Sequence, residues 1–245
     1  MKKMKIDFYE EFPLKQNLHK LKQINFPCRL FLASHSIKEF RLLEKQVKTI
    51  NKKIEVCYWP IVKNSYWISP FSNPKDLKEL FKELESCNNK ILIDLELPLN
   101  KKLIIKNLFN QFSNRKRIRY FLENNKERIT TAQFPSSIIS TFMKIIGLDY
   151  KVKTEKSFMW YSSMTSKKMN NNIKENLVKI KDKSKISISL GTVALGILGN
   201  EPILSPKNLK QDLDFVKNAG FDRVIIFRLG GLNPRYLKVL KSFLD

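Results

Sequence analysis

Short apolar runs alternate with amphipathic segments from one end of the chain to the other, and that alternation is the strongest constraint on its fold. The runs are "KIDFYEE" (5–11), "CRLFLAS" (28–34), "IEVCYWPI" (54–61), "KILIDLEL" (90–97), "RITTAQF" (128–134), "SFMWYSS" (157–163), "SISLGTVALGI" (187–197) and "RVIIFRL" (223–229). Most have strand length, and between them lie stretches of helical period such as "IKEFRLLEKQVKTIN", "NPKDLKELFKELES" and "SPKNLKQDLDFVKNAG". The last two open with a capping side chain followed by proline, and the third stops at Gly220. Repeated β/α units build a parallel sheet, and eight of them in 245 residues predict a single (β/α)8 TIM barrel spanning 1–245. An open doubly wound sheet calls for a glycine-rich phosphate loop after its first strand, where this chain has "DFYEEFP". The stretch 100–127 is longer than one crossover needs, so an extra basic helix is expected around 114–126, on the outside of the barrel.

The charge of +23 raises the question of a polyanionic partner. Lysine greatly outnumbers arginine, however, and the lysines are spread over nearly every helical segment; only "NRKRIR" (114–119) is concentrated. Arginine is the better residue for forked phosphate recognition, so nucleic acid is the disfavoured partner and a solvated basic surface the favoured reading. Cys28, Cys57 and Cys87 form no CxxC pair and leave an odd thiol, which argues against a disulfide framework or a zinc site. With only His19 and His35, a histidine metal triad is not expected, and no cofactor is. No segment reaches the length of a membrane span or a secretory signal, so the expectation is a soluble cytoplasmic protein with no membrane partner.

A barrel places function at the C-terminal ends of its strands. The fourth run is the informative one. Side chains alternate across a strand, so the all-apolar set Ile91, Ile93, Leu95 and Leu97 must meet the helices, while Leu92, Asp94 and Glu96 face the barrel interior. Asp94 and Glu96 then stand one pleat apart, about 7 Å between Cα atoms. Neighbouring like charges resist joint ionisation and enclosure favours the neutral form, which makes Glu96 a candidate general acid supported by Asp94.

Other polar and aromatic residues collect at the same end. Tyr9 and Glu11 share a face of the first strand, and Glu10, facing the other way, is expected as a surface salt-bridging group. "YWPIVKNSYWISPF" supplies Trp59, Tyr66 and Trp67 for stacking on sugar faces, with Trp160 on strand six; Trp67 and Trp160 are the rings expected to be exposed. Gln133 and Arg228 are candidates to bind hydroxyl or acidic groups, although an ion pair of Arg228 with Glu201 or Asp94 is an equal alternative. Glu201, in "GNEP", is either a loop contact or the partner of Glu96 in a retaining mechanism, which requires carboxyls about 5–5.5 Å apart.

The "IDLE" ending of strand four resembles the tail of the DxxDxDxE motif of the family 18 glycoside hydrolases, the chitinase-like TIM barrels. "MWY" on strand six is similar to their M-x-Y, "DFYEEF" resembles their first strand, and "GILG" resembles their glycine-rich segment after strand seven. The resemblance implies a carbohydrate ligand and substrate-assisted hydrolysis of an N-acetylated sugar. In that scheme Glu96 protonates the leaving oxygen, Asp94 steers the acetamido group and Tyr161 holds the acetyl oxygen. The chain departs from the pattern at Asn89 and Leu92, where the family has aspartates, and at Ser162, where M-x-Y usually continues with Asp. Those departures keep a non-catalytic barrel binding a glycan or a polyanion as the alternative.

Overall fold

The computed structural model describes residues 3–135, 146 and 148–244. Eight parallel strands close into a barrel in sequence order: β1 (Lys5–Glu10), β2 (Cys28–Ser34), β3 (Ile54–Pro60), β4 (Ile91–Asp94), β5 (Ile129–Gln133), β6 (Glu155–Met159), β7 (Ile186–Gly191) and β8 (Arg223–Phe227). β8 returns to β1 with Lys5 opposite Arg223, which completes the TIM barrel that the repeated β/α pattern predicts. The helices described are α1 (Lys15–Leu18), α2 (Ile37–Ile50), α3 (Pro74–Glu85), α4 (Lys102–Lys106), α5 (Gln111–Asn124), α6 (Lys167–Lys179), α7 (Pro206–Asn218) and α8 (Pro234–Lys241). Ser36, Asn73, Ser166, Ser205 and Asn233 each cap a helix by accepting a backbone N–H from its first turn, so the punctuation in the sequence works as chemistry at these sites.

Two apolar layers follow from the two faces of each strand. Outward residues such as Phe8, Leu30, Ile93 and Leu190 pack under helix residues such as Phe40, Leu77, Leu122 and Leu213 in one continuous core. Inward residues form a second, smaller cluster that includes Tyr9, Phe31, Trp59, Leu92, Met159 and Phe227. At the N-terminal end the barrel interior is closed by ion pairs. Arg29 Nε lies 2.8 Å from Asp7 Oδ2 and its Nη2 lies 2.6 Å from Glu155 Oε1, while Arg223 reaches the same Asp7 oxygen at 2.8 Å. Fully hydrogen-bonded pairing of this kind is what makes buried charge tolerable there.

The strands are shorter than the apolar runs suggest. β4 ends at Asp94, and Leu95 keeps only an isolated bridge to Ile68 and an N–H bond to Ala132 O at 3.1 Å. Residues past the ladder stay apolar because they are covered by neighbouring segments, which sequence period alone does not distinguish from strand pairing. The basic stretch expected as an outer addition forms α5 instead. Its Ile118, Phe121 and Leu122 are buried, and Phe121 stacks on Phe81 of α3 at 4.5 Å, so α5 is the packed crossover helix and the short α4 is the insertion. Among the described residues no helix is long and apolar enough to cross a membrane.

Candidate functional site

A cavity of about 410 Å³ opens at the C-terminal ends of the strands. Its floor is set by Tyr9, whose hydroxyl donates to Ser157 Oγ at 3.1 Å and lies 3.1 Å from Ser189 Oγ; the two serine oxygens are 2.5 Å apart. Small hydroxylated residues on β6 and β7 leave room for the large ring from β1 and satisfy its polar end. Trp59, Trp67, Tyr161, Met159 and Phe227 form much of the wall. The chamber is mostly apolar with a few polar groups, the usual composition of a small-molecule site.

Four carboxylic side chains line this cavity: Glu11, Asp94, Glu96 and Glu201. The period-2 reading of strand four thus holds, since Leu92, Asp94 and Glu96 all reach the interior. Burial, then the charge of Glu96, then that of Glu11 push the Asp94 carboxyl well above the ordinary aspartate range. Burial and the charge of Glu11 raise Glu96 to about 7. Glu11 is also raised to about 7, chiefly by burial, with the Tyr66 hydroxyl and the Ile197 N–H acting in the opposite direction and the charge of Glu201 adding to the rise. Glu11 Oε2, Asp94 Oδ1, Glu201 Oε2 and Trp59 Nε1 are buried without a hydrogen-bond partner among the described residues. Buried polar atoms left open in this way cost free energy, and four of them around one chamber mark it as a place built to receive polar groups.

The loop after β7 brings Glu201 in. Leu198 N–H donates to Glu201 Oε1 at 3.1 Å, and the neighbouring Ile197 N–H supports Glu11. Gly196 makes this approach feasible: a Cβ there would lie 2.7 Å from Glu201 Oε1, 2.8 Å from Glu11 Oε2 and 2.8 Å from the Phe227 ring. The "GILG" segment is therefore a backbone seat for two carboxylates. Glu201 is a loop residue, as one of its two readings had it, yet it is buried and lines the pocket.

Five expectations need correction, three of them through strand parity. Gln133, Trp160 and Arg228 each follow an inward residue (Ala132, Met159 and Phe227) and so face away from the cavity. Trp160, expected to be exposed, is fully buried in the outer core, with its Nε1 donating to Asn170 Oδ1 of α6 at 2.9 Å. Arg228 pairs with Glu10 Oε1 at 2.8 Å, not with Glu201 or Asp94, and lies over the Phe12 ring. Glu10, expected at the surface, is accordingly fully buried and also accepts from the Gly230 N–H at 2.5 Å. Tyr66 stands just behind the cavity wall and acts through Glu11, to which its hydroxyl donates at 2.7 Å.

The departures from the chitinase-like pattern have a structural explanation. Asn89 lies before β4, is bound by Arg41, Glu44 and the Val56 carbonyl, and does not line the cavity. Ser162 donates to Asp212 of α7 and so supports the helix layer. Leu92 places an apolar group one pleat below Asp94, and Glu11, from the end of β1, supplies a like-charge neighbour in its stead. Sequence reasoning missed Phe134, Met159, Met164, Ile197, Leu198 and Phe227 as lining residues; the inward parity of β6 and β8 was a signal for Met159 and Phe227. Among the described residues no three or more His, Cys, Asp or Glu side chains are arranged so that they could hold a metal ion.

No protein-family model matches the chain, and no curated protein matches it in sequence. Solved structures do. The C-terminal domain of a putative chitinase from Desulfitobacterium hafniense DCB-2 superposes with a TM-score of 0.61 at 11% identity, covering 100% of both chains. A class V chitinase from Nicotiana tobaccum gives 0.55 at 11% identity, over 98% of this chain and 99% of that one. A xylose isomerase domain protein from Planctomyces limnophilus gives 0.56 at 8% identity, over 98% and 95%. The likeness to chitinase-like barrels that the sequence suggests is thus met at the level of the fold, and a shared barrel does not by itself carry a shared activity.

Proposed function

We propose that this barrel acts on a carbohydrate by glycoside hydrolysis, with Glu96 as the general acid/base. The observation that carries the reading is that Asp94, Glu96 and Tyr161 line one cavity, in which burial and the charge of Glu11 raise Glu96 to about 7. A carboxyl with that pKa holds a proton at neutral pH and gives it up readily, which general acid–base catalysis requires. The aromatic wall supplies stacking surfaces for a sugar, and the open oxygens of Asp94, Glu11 and Glu201 supply acceptors for its hydroxyl and amide groups.

The substrate-assisted route fits these groups. The Glu96 proton passes to the glycosidic oxygen as its bond to the anomeric carbon breaks, and the carbonyl oxygen of the substrate's own acetamido group forms the replacing bond. Asp94 accepts from the acetamido N–H and Tyr161 donates to the acetyl oxygen. Water then attacks the anomeric carbon as its bond to the acetamido oxygen breaks and the acetamido group is restored, and the ionised Glu96 takes the proton from that water, which regenerates the acid. A Nicotiana tobaccum class V chitinase variant has been seen in complex with NAG4, so the N-acetylglucosamine tetramer is the natural first substrate to try.

One observation favours a second reading. Leu92 removes the carboxyl that the resemblance expects beside Asp94, which fits a barrel that binds a glycan without cleaving it. Calorimetry and product analysis with the tetramer separate the two. Shorter oligomers in the product mixture support hydrolysis, binding without products supports the binding reading, and neither binding nor cleavage of any glycan sinks both.

A further inference from the structure

The excursion between β4 and β5 presents a surface that the cavity does not account for. Ile105 is 82% exposed, Phe109 93% and Phe112 68%, three large apolar side chains close together along the chain. No acidic residue lies between Glu96 and Glu123, whereas Lys101, Lys102, Lys106 and Lys116 are all exposed there. The segment is pinned at its base by polar bonds. Leu99 N–H donates to Ser65 O at 3.0 Å, and the buried Asn114 side chain donates to Pro70 O at 2.9 Å and Ser72 O at 2.8 Å. Its apolar tips are thus held outward while Leu103 and Asn107 turn inward.

At the C-terminal end of the barrel Leu195 after β7 is exposed as well, as are Met164 and Leu198 of the cavity lining. Concentrating such residues on one end of a barrel is uncommon on a water-facing surface and marks an interaction site. We propose that this face seats on an anionic lipid surface, with Ile105, Phe109 and Phe112 entering the boundary between headgroups and acyl chains and Lys101, Lys102 and Lys106 meeting lipid phosphates. The chemistry selects this partner. Protruding aliphatic and aromatic tips need a soft phase that closes around them, and flexible lysine point charges need anions without fixed geometry. A bilayer with anionic headgroups offers both, and surface seating requires no spanning helix. The cavity mouth lies on this end of the barrel, so its ligand would be met at the membrane surface.

Vesicle co-sedimentation tests the proposal with the whole chain. Vesicles of phosphatidylcholine containing about one third phosphatidylglycerol should bind the protein, pure phosphatidylcholine should bind it weakly, and added salt should loosen the anionic complex. Phe109→Ser with Phe112→Ser should lower binding at least about tenfold while circular dichroism and Tm stay unchanged, since both rings are exposed. Phe109→Trp supplies a second readout: the emission it adds to that of the wild type should shift to the blue on anionic vesicles and be quenched by brominated acyl chains. The proposal is overturned by absence of binding to anionic vesicles, or by binding that the double serine variant retains in full, which would trace to diffuse positive charge. Added emission from the Phe109→Trp variant that stays that of a water-exposed indole, or retention on duplex DNA but not on vesicles, would overturn it equally.

Discussion

The Tyr66 hydroxyl donates a 2.7 Å hydrogen bond to Glu11 Oε1, tying the loop after β3 to the carboxylate at the end of β1. That bond favours the ionised form of Glu11 against a burial effect that is larger. Its removal in Tyr66→Phe should therefore raise the Glu11 pKa further above about 7. Carboxyl carbon NMR titration of the variant and the wild type checks this; an unchanged or lower Glu11 pKa would contradict the role given to Tyr66.

Glu11 and Glu96 both titrate near 7 in the folded chain, above the ordinary glutamate value of 4.5. Between about 4.5 and 7 the folded state binds more protons than the unfolded state, so their contribution to stability falls as pH rises through that window. Tm should decline from pH 5 to pH 8 in proportion. Glu11→Gln removes one of these ionisations and should raise Tm at pH 8 by roughly 2–4 °C, with little effect at pH 5. A variant less stable than wild type at pH 8 would show that Glu11 is held by partners stronger than those described.

Gly196 lies against the carboxylates of both Glu11 and Glu201. Gly196→Ala places a methyl group against Glu201 Oε1, Glu11 Oε2 and the Phe227 ring, all within 2.8 Å. The expected result is a loss of about 1–3 kcal/mol in stability together with weakened ligand binding, read by chemical denaturation and calorimetry. Full retention of both would mean the loop after β7 is free to move away from Glu11.

The barrel floor gives a control remote from the cavity. Asp7→Ala leaves Arg29 buried beside a single remaining carboxylate, and the cost should be about 3–5 kcal/mol. Denaturation measures it. A cost near zero would mean that water replaces the lost carboxylate.

Much of this architecture was legible in the chain because its strands are punctuated by caps and its inward positions are chemically distinct. Strand four is the clearest case: the polarity of Asp94 and Glu96 against an otherwise apolar run pointed to the interior, and both line the cavity. Gln133, Trp160 and Arg228 were misread because each sits at the correct end of its strand but on the outward face; a one-residue error in parity exchanges cavity for helix layer. Glu10 and Arg228 illustrate what local reading lacks. They are 218 positions apart, each looks like a solvated charge alone, and only barrel closure between β1 and β8 brings them together as a buried pair. The seat formed by Gly196, Glu11 and Glu201 is likewise a product of closure.

Hydrolysis of an N-acetylglucosamine oligomer by the wild type and Glu96→Gln is the most direct test of the central claim. Removing the proton donor without changing side-chain size should lower kcat by about 10²–10⁴, leave tetramer binding and the Tm at pH 5 near wild type, and abolish the loss of rate as pH rises through 7. Equal turnover by the two proteins, with the same dependence on pH, would show that Glu96 is not the acid.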